Sequence, residues 1–256
     1  MTTPVSKFNV VPMDVKIECP HHGIKTIKVP AKDGVPLAAP GPDKCPECRE
    51  INDVREADSL LRNEVQTNIA NAEIPLRFIH ARLRDLEGGN IELKSSRVIR
   101  RFADNFESHL AAGESLVLHG PTGVGKTHAA VAVMLEIMGR YYKTGRFQTV
   151  LDIVRNIRRT WDRDCNVTED EVIRSLVDPV LLIIDDVGIQ YGTENEKLLL
   201  FDVINRRYNN LKPMLLTSNL DIDELKAFLG DRTLDRLSEG RGGCLAINGI
   251  SRRRSA

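Results

Sequence analysis

Gly120-Pro121-Thr122-Gly123-Val124-Gly125-Lys126-Thr127 is the stretch on which the reading of this 256-residue chain turns. Its spacing, G-x-x-x-x-G-K-T, is that of a phosphate-binding loop. Upstream, Ser115-Leu116-Val117-Leu118-His119 is an apolar run suited to a buried strand. Downstream, Ala129, Ala130, Val133, Met134 and Ile137 recur at helical spacing. A glycine loop between a strand and a helix lets backbone N–H groups close around phosphate oxygens, and the helix start adds the positive end of its dipole. The pattern predicts a nucleotide on residues 120–127, with Lys126 reaching the β- and γ-phosphates and the Thr127 hydroxyl ligating Mg²⁺.

Further along, Val180-Leu181-Leu182-Ile183-Ile184 is apolar without interruption and ends in Asp185-Asp186. Five such residues fit a strand covered on both faces. Carboxylates at its C-terminal end stand where open α/β sheets bind ligands. Asp185 is expected to hold Mg²⁺, directly or through water, and Asp186 to orient and activate the attacking water; the alternative for either is a cap on the following turn. Pro213-Met214-Leu215-Leu216-Thr217-Ser218-Asn219 reads as another buried strand ending in polar residues. Asn219 is expected to bond the γ-phosphate or the water, its other reading being the start of a helix over 221–229. Asp231-Arg232-Thr233-Leu234-Asp235-Arg236-Leu237 sets two arginines four apart on one helix face. A guanidinium supplied to a neighbour's phosphate stabilises transition-state charge. The competing reading is a pair of surface ion pairs with Asp231 and Asp235, worth little.

The remaining elements of this region follow from periodicity. Residues 96–111 carry Val98, Phe102, Phe106 and Leu110 on one stripe, which predicts a single core-packing helix with His109 at the surface. Residues 147–153 read as a strand, followed by a helix to about Trp161. Arg155, Arg158 and Arg159 share one helix face. With Trp161 nearby they suit single-stranded nucleic acid, through phosphates and stacking; the rival is a solvated face beside a core tryptophan. Leu200, Val203, Ile204, Tyr208 and Leu211 predict a helix over 196–211, and a last strand is expected at 244–248.

The N-terminal part is of a different kind. Cys19-Pro20-His21-His22 and Cys45-Pro46-Glu47-Cys48 form two pairs, C-x2-H and C-x2-C, separated by 22 residues. Two such knuckles suit a closed tetrahedral Zn²⁺ site. Cys19, Cys45 and Cys48 are three ligands; His22 is preferred as the fourth because its spacing mirrors the second pair, with His21 still open. Between them, Lys25-Thr26-Ile27-Lys28-Val29 alternates like a strand, amid four prolines and three glycines. Such a segment buries little apolar surface alone, and metal binding supplies the stability it lacks. Val54, Ala57, Leu61, Val65 and Ile69 mark a helix leading away.

Composition sets the outer bounds. Thirty-six basic and 36 acidic residues cancel, so nucleic-acid contact has to rest on local patches. No apolar run approaches about 18 residues, which argues against a membrane span. The N-terminus lacks an apolar signal core, so a cytoplasmic location is expected. In a reducing compartment, clustered cysteines suggest metal before disulfides.

Taken in order, the motifs at 120–127, 181–188, 215–219 and 231–237 resemble the AAA+ ATPases of the DnaC/IstB helicase-loader group. The entry segment 74–78 is similar too, and the likeness covers roughly residues 74–254. The resemblance implies an α/β fold, a P-loop domain with a parallel five-stranded sheet flanked by helices, behind a small zinc module. It divides the chain into a zinc-binding, helicase-facing module at 1–60, a linker at 61–94 and the AAA+ domain at 95–256. It implies ATP, Mg²⁺ and Zn²⁺ as cofactors, ATP-dependent homo-oligomers, and a replicative DnaB-type helicase and single-stranded DNA as partners. By the same resemblance Arg236 is the arginine finger, Arg232 supports it, and Arg253 is the second-sensor arginine that contacts phosphate in its own subunit. The chain departs from many relatives in having Asp186 where a glutamate is frequent. A transposition helper of the IstB kind, or an ATP-gated interaction switch with little turnover, remain the alternatives.

Overall fold

The computed structural model describes residues 11–32, 35–37, 45–86, 91–188, 194–240 and 243–249. The chain divides into two compact units, Met1–Asn63 and Glu64–Ala256.

The second unit is built on five parallel strands: β4 (Leu116–His119), β5 (Gly145–Thr149), β6 (Leu181–Val187), β7 (Met214–Ser218) and β8 (Gly243–Ala246), in the spatial order β5-β6-β7-β4-β8. Seven helices, or parts of them, cover the sheet: α2 (Leu93–Asp104), α4 (Lys126–Tyr141), α5 (Val150–Arg159), α6 (Glu169–Val177), α7 (Glu194–Asn209), α8 (Ile222–Leu229) and α9 (Asp231–Leu237). Because side chains alternate across a pleated strand, the run 181–184 splits between two cores. Leu181 and Ile183 join Leu116, Leu118, Leu215 and residues of α2 and α4. Leu182 and Ile184 join Val117, Leu216 and residues of α5 to α9. Two covered faces explain why this strand reads as continuous rather than alternating. The stretch ahead of α2 also packs here: Ala72, Ile74, Ala81, Leu83 and Leu86 are buried with the α2–α4 face. It carries two short 3₁₀ turns, Leu76–Phe78 and Leu83–Leu86.

Several expected boundaries move, each for a local reason. The strand expected over 147–153 stops at Thr149, whose hydroxyl oxygen accepts the Asp152 N–H at 3.1 Å and starts α5. Val150, Ile153, Val154 and Ile157 then follow helical, not strand, spacing into the core. The single helix over 96–111 is two. Asn105 closes α2, its side-chain amide donating to the Arg101 carbonyl at 2.9 Å, and α3 (Phe106–Ala112) starts afresh. His109 is not on the surface. It is 5% exposed, stacked 4.5 Å from the Phe102 ring, with Nδ1 2.6 Å from Glu114 Oε2. Trp161 is not in the core: it is 57% exposed, and its indole N–H donates to Glu169 at 2.8 Å.

The first unit pairs β1 (Val11–Cys19) with β2 (Gly23–Lys32) as an antiparallel hairpin, with β3 (Val35–Pro36) adding two residues to β2. Helix α1 (Pro46–Asn71) leaves it, and none of its residues is buried. The core of this unit is Ile17, Cys19, Ile27, Val29 and Cys45. Among the described residues no helix is long and apolar enough to cross a membrane.

Candidate functional site

The loop between β4 and α4 has the backbone that its glycines permit. Gly120, Gly123 and Gly125 have φ of 137°, 88° and 103°, in the region L side chains rarely adopt. Gly120 also lies against β8's end: a Cβ there would sit 2.3 Å from the Ile247 carbonyl oxygen. Gly125 precedes α4 and no side chain caps that helix, so its first-turn N–H groups face the loop as an anion site. Pro121, Thr122 and Val124 fill the turn between these glycines, with Val124 buried in the core beneath.

Lys126 opens α4 and is buried. Its ammonium donates to the Gly120 and Pro121 carbonyls, both at 2.8 Å, and to Asn219 Oδ1 at 2.7 Å. Asn219 follows the end of β7, the neighbour of β4, so sheet order brings it here across 93 residues. Thr127 Oγ1 donates to Asp185 Oδ1 at 2.9 Å, joining the start of α4 to the end of β6. Thr217 Oγ1 donates to the same carboxylate oxygen. Burial pushes the Asp185 carboxyl above its ordinary value, Asp186 adds to this, and the two hydroxyls oppose it. Asp186 is half-buried beside it with φ 60°. Burial likewise holds His119, the last residue of β4, below the usual imidazole value, with Lys126 acting in the same direction. A hydroxyl and a carboxylate in contact are the hard oxygen donors Mg²⁺ takes, and three positive-φ glycines before an uncapped helix fit a triphosphate.

In the first unit one nitrogen and three sulfurs converge. His22 Nδ1 lies 3.6, 3.7 and 3.3 Å from the Cys19, Cys45 and Cys48 sulfurs, and Cys19 and Cys48 are 3.5 Å apart. All four ligand atoms fall within 4.8 Å of one another. Ligands around a tetrahedral Zn²⁺ stand about 3.5–3.8 Å apart, and the His22 and Cys19–Cys48 distances are close to that spacing. His22 supplies the nitrogen and His21 lies outside the cluster. Backbone N–H groups of His21 and then His22 help pull the Cys19 thiol down to about 6, whereas hydrogen bonding to Cys19, with burial, pushes Cys48 up to about 11.

The two arginines of α9 differ. Arg232 is exposed, whereas Arg236 is half-buried, its guanidinium donating to Asn205 Oδ1 and lying 5.0 Å from the Tyr208 ring centre. Neither meets the phosphate loop among the described contacts of this single chain. Arg253 lies outside the described residues.

The family model of the IstB-like ATP binding protein matches residues 65–254. The chain belongs to this family. Among curated relatives, the replicative helicase loader DnaC of Buchnera aphidicola subsp. Baizongia pistaciae is 33% identical over 159 residues, 60% of this chain and 61% of that one. DnaC of Escherichia coli K12 is 29% identical, over 55% of this chain and 56% of its own. The ATP-binding protein of insertion sequence IS5376 from Geobacillus stearothermophilus is 31% identical over 65% of this chain and 73% of its own. This chain thus spans less than two thirds of either loader. Among solved structures, that of the DnaC helicase loader superimposes with a TM-score of 0.59 at 25% identity, over 68% of this chain and all of the other. DnaA bound to AMPPCP and single-stranded DNA shares the fold at 20% identity, with a TM-score of 0.56 over 70% of this chain and 52% of that one. The fold is the AAA+ α/β fold of these proteins, and the family match begins beyond the cysteine cluster.

Three residues of this IstB-like protein escaped sequence reasoning. Thr217 was visible only as a polar residue in an apolar strand. Glu47 accepts from Lys25 at 2.7 Å and stands 3.8 Å from His22 Nε2, behind the sulfur–nitrogen cluster. Arg207 is wholly buried and donates to five backbone carbonyls, those of Leu176, Val177, Pro179, Val180 and Pro213. Nothing in its local sequence distinguishes it from the neighbouring exposed Arg206.

Proposed function

We propose that this protein is an ATP-hydrolysing replicative helicase loader that binds a hexameric DnaB-type helicase and single-stranded DNA. The observation that carries the reading is the convergence of Lys126, Thr127, Asp185 and Asn219 at the C-terminal edge of a parallel sheet, in a chain related to DnaC. Lys126 exchanges its loop carbonyls for β- and γ-phosphate oxygens. Asn219, released from it, meets the γ-phosphate or the attacking water. Thr127 and Asp185 hold Mg²⁺, which when bound neutralises phosphate charge. Asp186 orients the water with a side chain one carbon shorter than the glutamate frequent in relatives. Arg236, steadied by Asn205 and Tyr208, reaches a neighbouring subunit's ATP, with Arg232 in support, and Arg253 contacts phosphate in its own subunit. The exposed Trp161 and the arginines 155, 158 and 159 of α5 offer single-stranded DNA a stacking surface and cations.

The module at 1–60, closed by Zn²⁺ on Cys19, His22, Cys45 and Cys48, grips the helicase; residues 61–94 connect it to the ATPase domain at 95–256. Such a loader acts in the cytoplasm as an ATP-dependent oligomer. The test is capture of a replicative hexameric helicase by the full chain with ATP and single-stranded DNA. Complex formation and DNA-stimulated turnover, lost in Lys126→Ala, are expected; no complex with or without ATP refutes the loader. The likeness to the IS5376 protein motivates one second reading, a transposition helper. Stimulation by duplex but not single-stranded DNA would favour it.

A further inference from the structure

Strands β6 and β7 slip by one residue at the end of the sheet. Ile184 pairs with Leu216 and Val187 with Ser218, so two β6 residues, Asp185 and Asp186, face only Thr217. This is a bulge, and it throws Asp186 to φ 60°. The Asp186 N–H goes to Thr217 Oγ1 at 3.2 Å. The proton of that same hydroxyl goes to Asp185 Oδ1. A hydroxyl has one proton to give and lone pairs to accept with, so Thr217 can serve both neighbours at once. It is 1% exposed, so bulk solvent does not reach its hydroxyl.

The Asp185 carboxylate therefore receives hydroxyls from two directions, Thr127 on α4 and Thr217 on β7. The two are not equivalent. Thr127 stands at the phosphate loop and turns its oxygen to the metal in the ATPase reading. Thr217 reaches the same oxygen from the neighbouring strand β7, and in that reading it keeps its bond. We propose that Thr217 is a positioning residue for ATP hydrolysis: its one hydroxyl fixes the plane of the Asp185 carboxylate and the backbone of Asp186, and so aims both acids. This rests on the ATPase reading above. Buried hydrogen bonds to ligating carboxylates orient them toward the metal, and their loss typically costs about 10–100-fold in metal affinity or activity.

The full-length wild type, Thr217→Val and Thr217→Ser are compared by thermal melting, nucleotide binding with and without Mg²⁺, and single-stranded-DNA-stimulated turnover at increasing Mg²⁺. Valine keeps the shape and removes the hydroxyl; serine keeps the hydroxyl. Thr217→Val is expected to bind metal-free ATP as the wild type does, while its kcat falls and its Mg²⁺ requirement rises by about 10–100-fold. Thr217→Ser is expected to recover most of both. Wild-type kcat and Mg²⁺ dependence in Thr217→Val overturn the proposal. So does a serine variant as impaired as the valine one, which would make Thr217 a packing residue. If Thr217→Val fails to fold, Thr217→Cys, a weak donor of similar size, takes its place with the same expectations. A wild type that binds MgATP without turning it over refutes the ATPase reading alone; the Mg²⁺ dependence of nucleotide affinity across the same proteins then decides for or against Thr217.

Discussion

Stripping metal from the cysteine–histidine cluster should unfold the first unit and leave the second intact. The structure sets the scale. Among the described residues, the first unit's buried cluster apart from two ligands is Ile17, Ile27 and Val29. Each such side chain contributes about 1.5–3 kcal/mol. A structural Zn²⁺ contributes about 10–16 kcal/mol of apparent binding energy at neutral pH, more than the three together. The β1–β2 hairpin is marginal without a partner, and α1 has no buried residue with which to brace it. Full-length protein from zinc-supplemented cells should contain one zinc per chain by mass spectrometry. Replacement by Co²⁺ should give the visible absorption of a tetrahedral three-thiolate site. After treatment with a strong chelator, limited trypsin digestion should cut early at Lys16, Lys25 and Lys28, while the unit from Glu64 onward resists as before. Cys45→Ser should behave as the chelated wild type, because Cys45 is completely buried and joins the ligand set to the core. A metal-free purified chain, or unchanged resistance at those three lysines after chelation, would show that this unit holds itself together by other means.

Gly120→Ala should lower nucleotide affinity at least about tenfold, because its Cβ would meet the Ile247 carbonyl at 2.3 Å in a left-handed backbone; wild-type affinity in titration calorimetry refutes this. Arg207→Met should cost about 2–4 kcal/mol by leaving five carbonyls without their donor. For a unit of this size that lowers the melting temperature by roughly 4–16 °C, and an unchanged melt refutes the staple. Burial brings the Arg207 guanidinium down to about 9, which still leaves it charged at neutral pH. Arg236→Ala should lose about 10³-fold in turnover while binding ATP normally. Mixing it with the Lys126→Ala chain should restore part of the activity, since some interfaces then combine an intact loop with an intact finger; no recovery on mixing rules out action in trans.

Much of this molecule is legible without coordinates, and for a definable reason. The phosphate loop, the β6 run with its two aspartates and the cysteine pairs are local patterns whose chemistry demands particular residues at particular spacings. Strict spacing survives any tertiary arrangement, so residues 120–127, Asp185 and the C-x2-H and C-x2-C pairs announce themselves. The parallel sheet was legible for a similar reason: strands covered on both faces need unbroken apolar runs. Boundaries were less so. Thr149 ends a strand and begins a helix by one hydrogen bond to Asp152 N–H, a choice that an apolar run across both states conceals.

What only the tertiary structure decided depends on contacts between distant segments. His109 moves from the expected surface into the core, and Trp161 takes the surface position of its two readings, because burial depends on what lies opposite: Phe102 and Glu114 enclose the histidine, while the indole finds Glu169 at the surface. His22 rather than His21 enters the cysteine cluster because of how the β1–β2 hairpin turns. Lys126 and Asn219 meet because the sheet places β7 next to β4. Thr217 gained its two partners from a one-residue slip between β6 and β7. Spacing along a chain specifies which chemical groups are present and how near they stand to their sequence neighbours. Strand order, register and packing decide which of them touch across the fold, and those are properties of the whole chain rather than of any stretch of it.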